Sequence, residues 1–129
     1  MTRQDVMDTA KKYIDGLKGT EVNTIPFGSD ITLTENGKVM ARGMEEVRKR
    51  LAANAQAVKA VHIQKWVIEG GDAIALCQID TNDGRVQMHF QYLRIYDGLI
   101  REAQANFGRK PTEEEIERYR AAARRSQAA

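Results

Sequence analysis

The sequence predicts an α+β domain in which helices cover one face of an antiparallel sheet. Two stretches near the N-terminus repeat apolar residues with the period of a helix, whereas the later part alternates with the period of a strand. Glycine-containing turns separate the alternating segments. Short turns between successive strands produce antiparallel neighbours, and helices that precede such a meander pack on one of its faces.

Two helices are predicted ahead of the long strands. The first runs from about Arg3 to Leu17 and the second from Gly43 to about Val58. Pro26 makes helix unlikely just beyond the first. Each helix has one apolar stripe. The stripe residues are Val6, Ala10, Tyr13, Ile14 and Leu17 in the first helix, and Met44, Val47, Leu51, Ala55 and Val58 in the second.

A hairpin is predicted between these helices, over Ile31–Arg42. Its turn is Asn36-Gly37, a residue pair that two-residue hairpin turns favour. In the first strand the carboxylate of Glu35 alternates onto the same side as the apolar residues, which places it either near a pocket or near water at the turn. The expected cross-strand pairs are Glu35 with Lys38 and Leu33 with Met40.

Four consecutive strands follow the second helix. The pair Gly70-Gly71 joins two of these strands and does not open a helix, so we predict no phosphate-binding loop there. The strands are predicted at Val61–Glu69, Asp72–Thr81, Arg85–Tyr96 and Leu99–Phe107, and the turns at Gly70-Gly71, Asn82-Asp83-Gly84 and Asp97-Gly98.

The C-terminal segment has a different character. Thr112 and Glu115 form a T-x-x-E capping box after Pro111, and acidic residues near the start with basic residues toward the end suit the helix dipole. We therefore predict a domain at residues 1–108 and a charged C-terminal helical tail at residues 109–129. A solvated helix is favoured there over a lid or a partner-docking helix.

Composition excludes several classes of partner. The 129 residues, 42% hydrophobic and 29% charged, suffice for one core but not two. The 20 basic and 18 acidic residues are interspersed, without a basic stripe interleaved with aromatics, so we expect no nucleic-acid partner. His62, His89 and Cys77 have no recognisable ligand spacing, and no metal site is predicted.

Cysteine usage and hydropathy bear on the compartment. Cys77 is the only cysteine, which precludes an internal disulfide and favours a reducing compartment; we expect it to be a buried small hydrophobe. The N-terminal residues lack the apolar run of a secretory signal, and no segment approaches the roughly 20 apolar residues of a membrane span. We expect a cytoplasmic protein with no membrane partner.

Four short segments of the chain are informative when they are taken in order. The segments are AKKYIDGL at Ala10–Leu17, PFGSDITLTENG at Pro26–Gly37, VIEGGDAIAL at Val67–Leu76 and YLRIYDGLI at Tyr92–Ile100. They are similar to the SnoaL-like branch of the nuclear transport factor 2-like superfamily, which also contains ketosteroid isomerases and limonene epoxide hydrolases. The resemblance implies a cone-shaped α+β barrel, a curved antiparallel sheet wrapped around the N-terminal helices, and commonly a homodimer through the outer sheet face. Members include enzymes and binding proteins without chemistry.

The resemblance also implies candidate site residues. Tyr13 falls where the ketosteroid isomerases have a tyrosine in their first helix, and Glu35 falls at or beside their general-base aspartate. Gln91 falls where they have an aspartate that helps to hold the oxyanion, so the usual oxyanion pair is incomplete and steroid isomerisation itself is not expected. The Arg-and-two-Asp constellation of the epoxide hydrolases is not evident, because the third long strand has Gln87, His89 and Gln91 instead.

These residue types predict acid–base chemistry. A partly desolvated Glu35 with a raised pKa would take a proton from a carbon next to a carbonyl or from a bound water. Tyr13, with Gln91 or His89, would donate hydrogen bonds to the developing oxyanion. The alternatives are that Glu35 is a turn residue paired with Lys38, and that Tyr13 is a core tyrosine with a satisfied hydroxyl.

Alternation in the third long strand conflicts with this alignment. Its more apolar phase would ordinarily face the core, whereas the alignment turns Gln87, His89 and Gln91 toward the pocket. A dimer that covers the apolar phase would reconcile the two. On the first long strand His62 is expected to pack or to lie at an interface. The apolar phase consists of Val86, Met88, Phe90 and Tyr92, and the residues in phase with His62 are Gln64, Trp66 and Ile68.

Three functions fit these expectations. The first is a small cofactor-free enzyme, of isomerase, cyclase or hydrolase/dehydratase type, that performs proton transfer or water addition on an apolar carbonyl-bearing or cyclic metabolite. The second is a ligand-binding or scaffold dimer of the same fold without chemistry. The third is transport or peptide binding, like that of the transport factor itself.

Overall fold

The computed structural model describes residues 1–18, 21–109 and 112–128. Every predicted helix and strand is present, but several bounds differ from the prediction. The first hairpin strand begins at Phe27 and not at Ile31, and the second helix ends at Ala55 and not near Val58. The first and last of the four long strands are longer than their patterns indicate. In chain order the elements are α1 (Arg3–Gly16), a short 3-10 helix (Val22–Thr24), β1 (Phe27–Glu35), β2 (Lys38–Arg42), α2 (Met44–Ala55), β3 (Val58–Glu69), β4 (Asp72–Thr81), β5 (Val86–Tyr96), β6 (Leu99–Arg109) and α3 (Glu113–Ala128).

The six strands form one curved, unclosed sheet in the order β2-β1-β6-β5-β4-β3. Strands β3 to β6 form the predicted antiparallel meander, and β1 and β2 form the predicted hairpin. Strand β1 runs parallel to β6, so the sheet is antiparallel apart from one pair. Local patterns do not reveal this pairing, because parallel neighbours come from segments far apart in sequence.

The core lies between the inner face of the sheet and the two N-terminal helices. Helix α1 packs on β3, β4 and β5, and α2 packs on β1 and β2. The α1 stripe is buried, and in α2 the buried stripe residues are Val47, Leu51 and Ala55, because Met44 is exposed and Val58 begins β3. Their burial is the main stabilising contribution, at about 25 cal/mol for each Å² of apolar surface removed from water. The predicted α+β cone with its N-terminal helices inside the sheet is confirmed. The largest fully buried side chains are Tyr13, Ile25, Ile31, Leu33, Leu93 and Ile100.

A β-bulge corrects the predicted register of the hairpin. Glu35 pairs with Lys38 as predicted, but Leu33 pairs with Ala41 and not with Met40. The register shifts between Leu33 and Thr34, where one strand contributes an extra residue. The carboxylate of Glu35 nevertheless stays on the inner side of the sheet, where it reaches the cavity described below.

A second bulge corrects the predicted face of His62. The register of β3 against β4 shifts between Ile63 and Lys65. Trp66 therefore packs against the core, whereas His62 lies on the outer face. There His62 Nε2 is 3.0 Å from Asp80 Oδ2. The prediction that His62 shares a face with Trp66 is wrong, because an extra residue in a strand reverses every side chain beyond it.

Helix α3 begins at the predicted capping box. Glu115 N donates to Thr112 Oγ1 at 3.2 Å, and Thr112 N donates to Glu115 Oε1 at 3.3 Å. None of the α3 side chains that the structure describes is buried. The division into a domain at 1–108 and a tail at 109–129 stays a prediction. Across the described ranges, no helix combines the length and apolar character needed to span a membrane.

Candidate functional site

A cavity of about 290 Å³ lies between α1, α2 and the inner face of the sheet. Its walls are mostly apolar, with side chains such as Leu33 and Leu51. All four predicted site residues line it: Tyr13, Glu35, His89 and Gln91. The fold therefore brings together residues from α1, β1 and β5 that are far apart in sequence.

The polar phase of β5 faces this cavity. His89 and Gln91 are 7% and 2% exposed, whereas Phe90 between them is 54% exposed on the outer face. Farther along β5, Leu93 and Ile95 are buried in the core on the same inner side. The inner face of the strand thus changes from apolar at the core to polar at the cavity. The polar phase of β5 therefore faces the pocket, as the alignment with the ketosteroid isomerases implies, and the more apolar phase faces outward.

Glu35 is held by two side chains of α2. Arg50 Nε donates to Glu35 Oε2 at 2.9 Å, Arg50 Nη2 donates to Oε1 at 3.1 Å, and Asn54 Nδ2 reaches Oε2 at 3.4 Å. Arg50 and Asn54 are one helical turn apart and so point the same way. The Glu35 side chain is only 10% exposed. The ion pair of Glu35 is therefore with Arg50, and not with Lys38 as the alternative interpretation expected.

The hydrogen bonds from Arg50 lower the pKa of Glu35 below the ordinary value for a glutamate, although burial acts in the opposite direction. The expectation of a raised pKa is wrong, because two charge-assisted hydrogen bonds outweigh partial desolvation. Glu35 is consequently an ionised carboxylate with a fixed orientation at neutral pH. It can still accept a proton or hydrogen-bond a water, as a weaker base than predicted.

His89 lies between two glutamine amides of its own strand. Gln91 Nε2 is 2.9 Å from His89 Nδ1, and His89 Nε2 is 3.0 Å from Gln87 Oε1. The ring stacks on Phe107 at a centroid distance of 4.7 Å. Because an amide nitrogen only donates and an amide oxygen only accepts, both contacts require a neutral ring protonated on Nε2. Burial lowers the pKa of His89 to about 4, which agrees with the neutral state.

Tyr13 is 1% exposed and places its ring edge against Phe27, with a centroid distance of 6.2 Å. Burial, together with the negative charge of Glu35, raises the pKa of its phenol. The hydroxyl therefore remains a hydrogen-bond donor at every physiological pH. Within the described part of the chain it has no hydrogen-bond partner, which departs from the satisfied hydroxyl of an ordinary core tyrosine.

Sequence reasoning did not identify Arg50, Asn54 or Phe107. The spacing of Arg50 and Asn54 on a predicted helix was a usable signal, because polar residues four apart share a face next to Leu51 of the apolar stripe. Phe107 carries no comparable signal, since an aromatic residue at the end of a strand ordinarily packs in a core. These three residues orient the predicted ones.

The thiol of Cys77 is confirmed as a buried small hydrophobe. It is 0% exposed on the inner face of β4, and burial raises its pKa to about 11, so it stays protonated. Within the described ranges, no three His, Cys, Asp or Glu side chains lie close enough together to hold a metal ion.

Several solved structures have the same fold. An NTF2-like protein of unknown function from Burkholderia xenovorans superposes with a TM-score of 0.74 at 11% identity, covering 84% of this chain and 87% of that one. A candidate ketosteroid isomerase from Kribbella flavida gives 0.72 at 14% identity, with 84% and 82% coverage. An LEH-like epoxide hydrolase from M. tuberculosis gives 0.69 at 14% identity, with 81% and 84% coverage. The resemblance to the nuclear transport factor 2-like superfamily is confirmed at the level of the fold.

Sequence comparison gives the family. No curated protein matches the chain. A family model described as "Domain of unknown function (DUF8021)" matches residues 1–107, which include both N-terminal helices and nearly all of the sheet. The cavity residues discussed above all fall within this range. The chain therefore belongs to the DUF8021 family.

Proposed function

We propose that the protein is a small cofactor-free enzyme that performs acid–base chemistry on a neutral, apolar carbonyl-bearing or cyclic molecule. One observation carries this proposal: an ionised carboxylate, a free phenol and a neutral histidine–amide pair line one mostly apolar cavity of about 290 Å³. Such convergence of a few polar groups in an apolar cavity is typical of small-molecule sites. Proton transfer and water addition, as in an isomerase, cyclase or hydrolase/dehydratase, are the reactions that these groups support.

In this proposal Glu35 is the general base. Arg50 keeps the carboxylate ionised and aimed in one direction, which favours positioning over basicity. The weaker base requires help elsewhere, and the Tyr13 hydroxyl supplies it by donating a hydrogen bond to the oxygen on which negative charge develops. His89 is neutral and its Nε2 proton is directed to Gln87, so it positions Gln91 and does not itself transfer a proton.

A ligand-binding protein without chemistry is the second candidate. The bidentate Arg50 pair favours it, because both carboxylate oxygens of Glu35 already accept hydrogen bonds and its basicity is reduced. In that case the same cavity would hold the molecule through Tyr13 and Gln91 alone.

We also propose a homodimer through the outer face of the sheet, in the cytoplasm. The apolar phase of β5 faces outward there, with Phe90 54% exposed, and Val67 on β3 is 45% exposed. A second copy would remove this apolar surface from water. The single cysteine, buried as a thiol, suits a reducing compartment.

A Glu35→Gln substitution tests the enzymatic proposal. With a panel of cyclic ketones and epoxides followed by mass spectrometry, we expect the wild-type protein to convert at least one compound. The variant should be slower by about 100-fold or more, since a positioned general base contributes at least that factor. Glu45→Gln, at an exposed position on α2, is the matched control and should keep full activity. A variant as active as the wild type would contradict the assignment of Glu35 as the base. A wild-type protein that binds compounds of the panel but converts none of them would favour the binding protein.

A further inference from the structure

The side-chain oxygen of Gln91 has no hydrogen-bond partner. Gln91 is 2% exposed and lies in the cavity wall, and its Oε1 is one of two buried side-chain polar atoms without a partner among the described residues. The other, Arg48 Nε, belongs to a residue outside the cavity lining. A buried acceptor left unpaired is unfavourable, and a molecule that donates a hydrogen bond to it relieves that penalty.

The direction of the His89 hydrogen bonds explains why the oxygen is the atom left over. Gln91 uses its amide nitrogen to donate to His89 Nδ1, and His89 uses its Nε2 proton to donate to Gln87. In the reverse arrangement His89 would carry its proton on Nδ1 and donate it to Gln91 Oε1. The Gln91 amide nitrogen would then be unpaired, and a carbonyl would be the favoured ligand group.

The charges of the lining favour an uncharged molecule. Glu35 is paired with Arg50, and Arg85, which also lines the cavity, is paired with Asp83 through Nε and Oδ2 at 2.8 Å. His89 is neutral in the arrangement above. A charged ligand would lose its hydration without gaining an uncompensated partner among these groups.

From this geometry we infer that the cavity selects a neutral ligand bearing a hydrogen-bond donor, an alcohol or an N–H group, which Gln91 Oε1 accepts. The inference rests on the proposed function only in requiring that the cavity hold a small molecule. In this inference Gln91 determines specificity. His89 is a positioning residue, because its hydrogen bond decides whether the oxygen or the nitrogen of the Gln91 amide is free to meet the ligand. For an enzyme, an alcohol is what water addition forms and what dehydration consumes.

The first test needs no ligand. Long-range ¹H–¹⁵N correlation spectra at neutral pH distinguish the two tautomers of His89 in the wild-type protein. We expect the Nε2-protonated form. The Nδ1-protonated form would overturn this inference and leave the proposed function standing, because Gln91 would then present a donor to the cavity.

The second test compares 2-decalol with 2-decalone, two molecules of nearly equal shape that differ in one donor. We expect the alcohol to bind the wild-type protein about tenfold more tightly in NMR titrations. Gln91→Met should abolish this preference, whereas Ile79→Val, in the apolar wall, should change both affinities alike. Equal affinities, or a preference that survives Gln91→Met, would overturn the inference. Uptake of neither probe would contradict the proposed function itself, and the inference would fall with it.

Discussion

Two titratable groups in one cavity have lowered pKa values for different reasons. Hydrogen bonds from Arg50 lower the pKa of Glu35, whereas burial lowers the pKa of His89 to about 4. The outcome is a charged carboxylate and a neutral imidazole at neutral pH. A proton acceptor, paired with Arg50, and an uncharged polar group thus coexist in the cavity, which suits chemistry on a neutral molecule.

The state of His89 gives the protein a predicted acid sensitivity. The folded-state pKa of about 4 lies below the ordinary histidine value of 6.5, so the unfolded chain binds a proton first as the pH falls. The stabilising contribution is therefore complete above pH 6.5 and is lost toward pH 4. The pKa difference corresponds to about 3 kcal/mol of unfolding free energy. Urea unfolding measured from pH 7 to pH 4.5 should show most of this decline.

Matched substitutions distinguish the contribution of His89 to this decline from the contributions of other groups. His89→Asn should flatten the decline between pH 6.5 and 4.5, whereas His62→Asn, on the outer face of the sheet, should leave it in place. If the unfolding free energy of the wild-type protein stays constant over this range, then the folded protein protonates His89 as readily as the unfolded chain does, which would contradict this prediction. Glu35 affects the unfolding free energy at lower pH, because its stabilising ion pair is lost as the pH falls below 4.5.

At the scale of elements, two β-bulges change registers that simple alternation predicts. One lies in the hairpin between Leu33 and Thr34, and the other lies in β3 between Ile63 and Lys65. The second places Trp66 inside and leaves His62 outside. Bulges also increase the local twist of a sheet, so these positions contribute to the curvature that makes room for the cavity.

The turn between β3 and β4 depends on a close backbone approach at Gly71. A Cβ at this position would collide with the carbonyl oxygen of Ile95, and Ile95 N donates to Gly71 O at 2.8 Å. We expect Gly71→Ala to lower the unfolding free energy by about 2 kcal/mol or more, because a backbone atom cannot move away as a side chain can. Chemical denaturation measures this loss.

The control for Gly71 is a glycine with open space around it. Gly108 in β6 has no atom near the position of a Cβ. Gly108→Ala should change the unfolding free energy by no more than about 0.5 kcal/mol. Similar effects at Gly71 and Gly108 would show that the turn adapts and that the approach of Ile95 is not a constraint.

At the scale of the whole molecule, the outer face of the sheet is the face that α1 and α2 do not cover. We predict that Phe90→Glu converts the proposed dimer into a monomer, because a charge would be buried in the apolar interface. Size-exclusion chromatography with light scattering measures the mass directly. Met44→Glu, an exposed apolar residue of α2, is the control and should leave the dimer intact. A wild-type protein that is monomeric at all concentrations would contradict the interface.

Local sequence patterns were sufficient for the helices, the hairpin, the meander and the capping box at Thr112. Each depends on residues within a few positions of one another, where side-chain period and turn chemistry act directly. The resemblance added the cone and the residues Tyr13, Glu35, His89 and Gln91, which do line one cavity. Their chemical roles stay predictions.

Only the tertiary structure decided the properties that depend on distant groups. The parallel pairing of β1 with β6 joins segments from opposite ends of the domain, and the bulges shift registers that alternation alone would have kept. Arg50 follows Glu35 by fifteen residues, yet its guanidinium sets the charge state of that carboxylate. A pKa and a free hydrogen-bonding atom are determined by the groups within a few ångströms, and folding selects those groups from the whole chain.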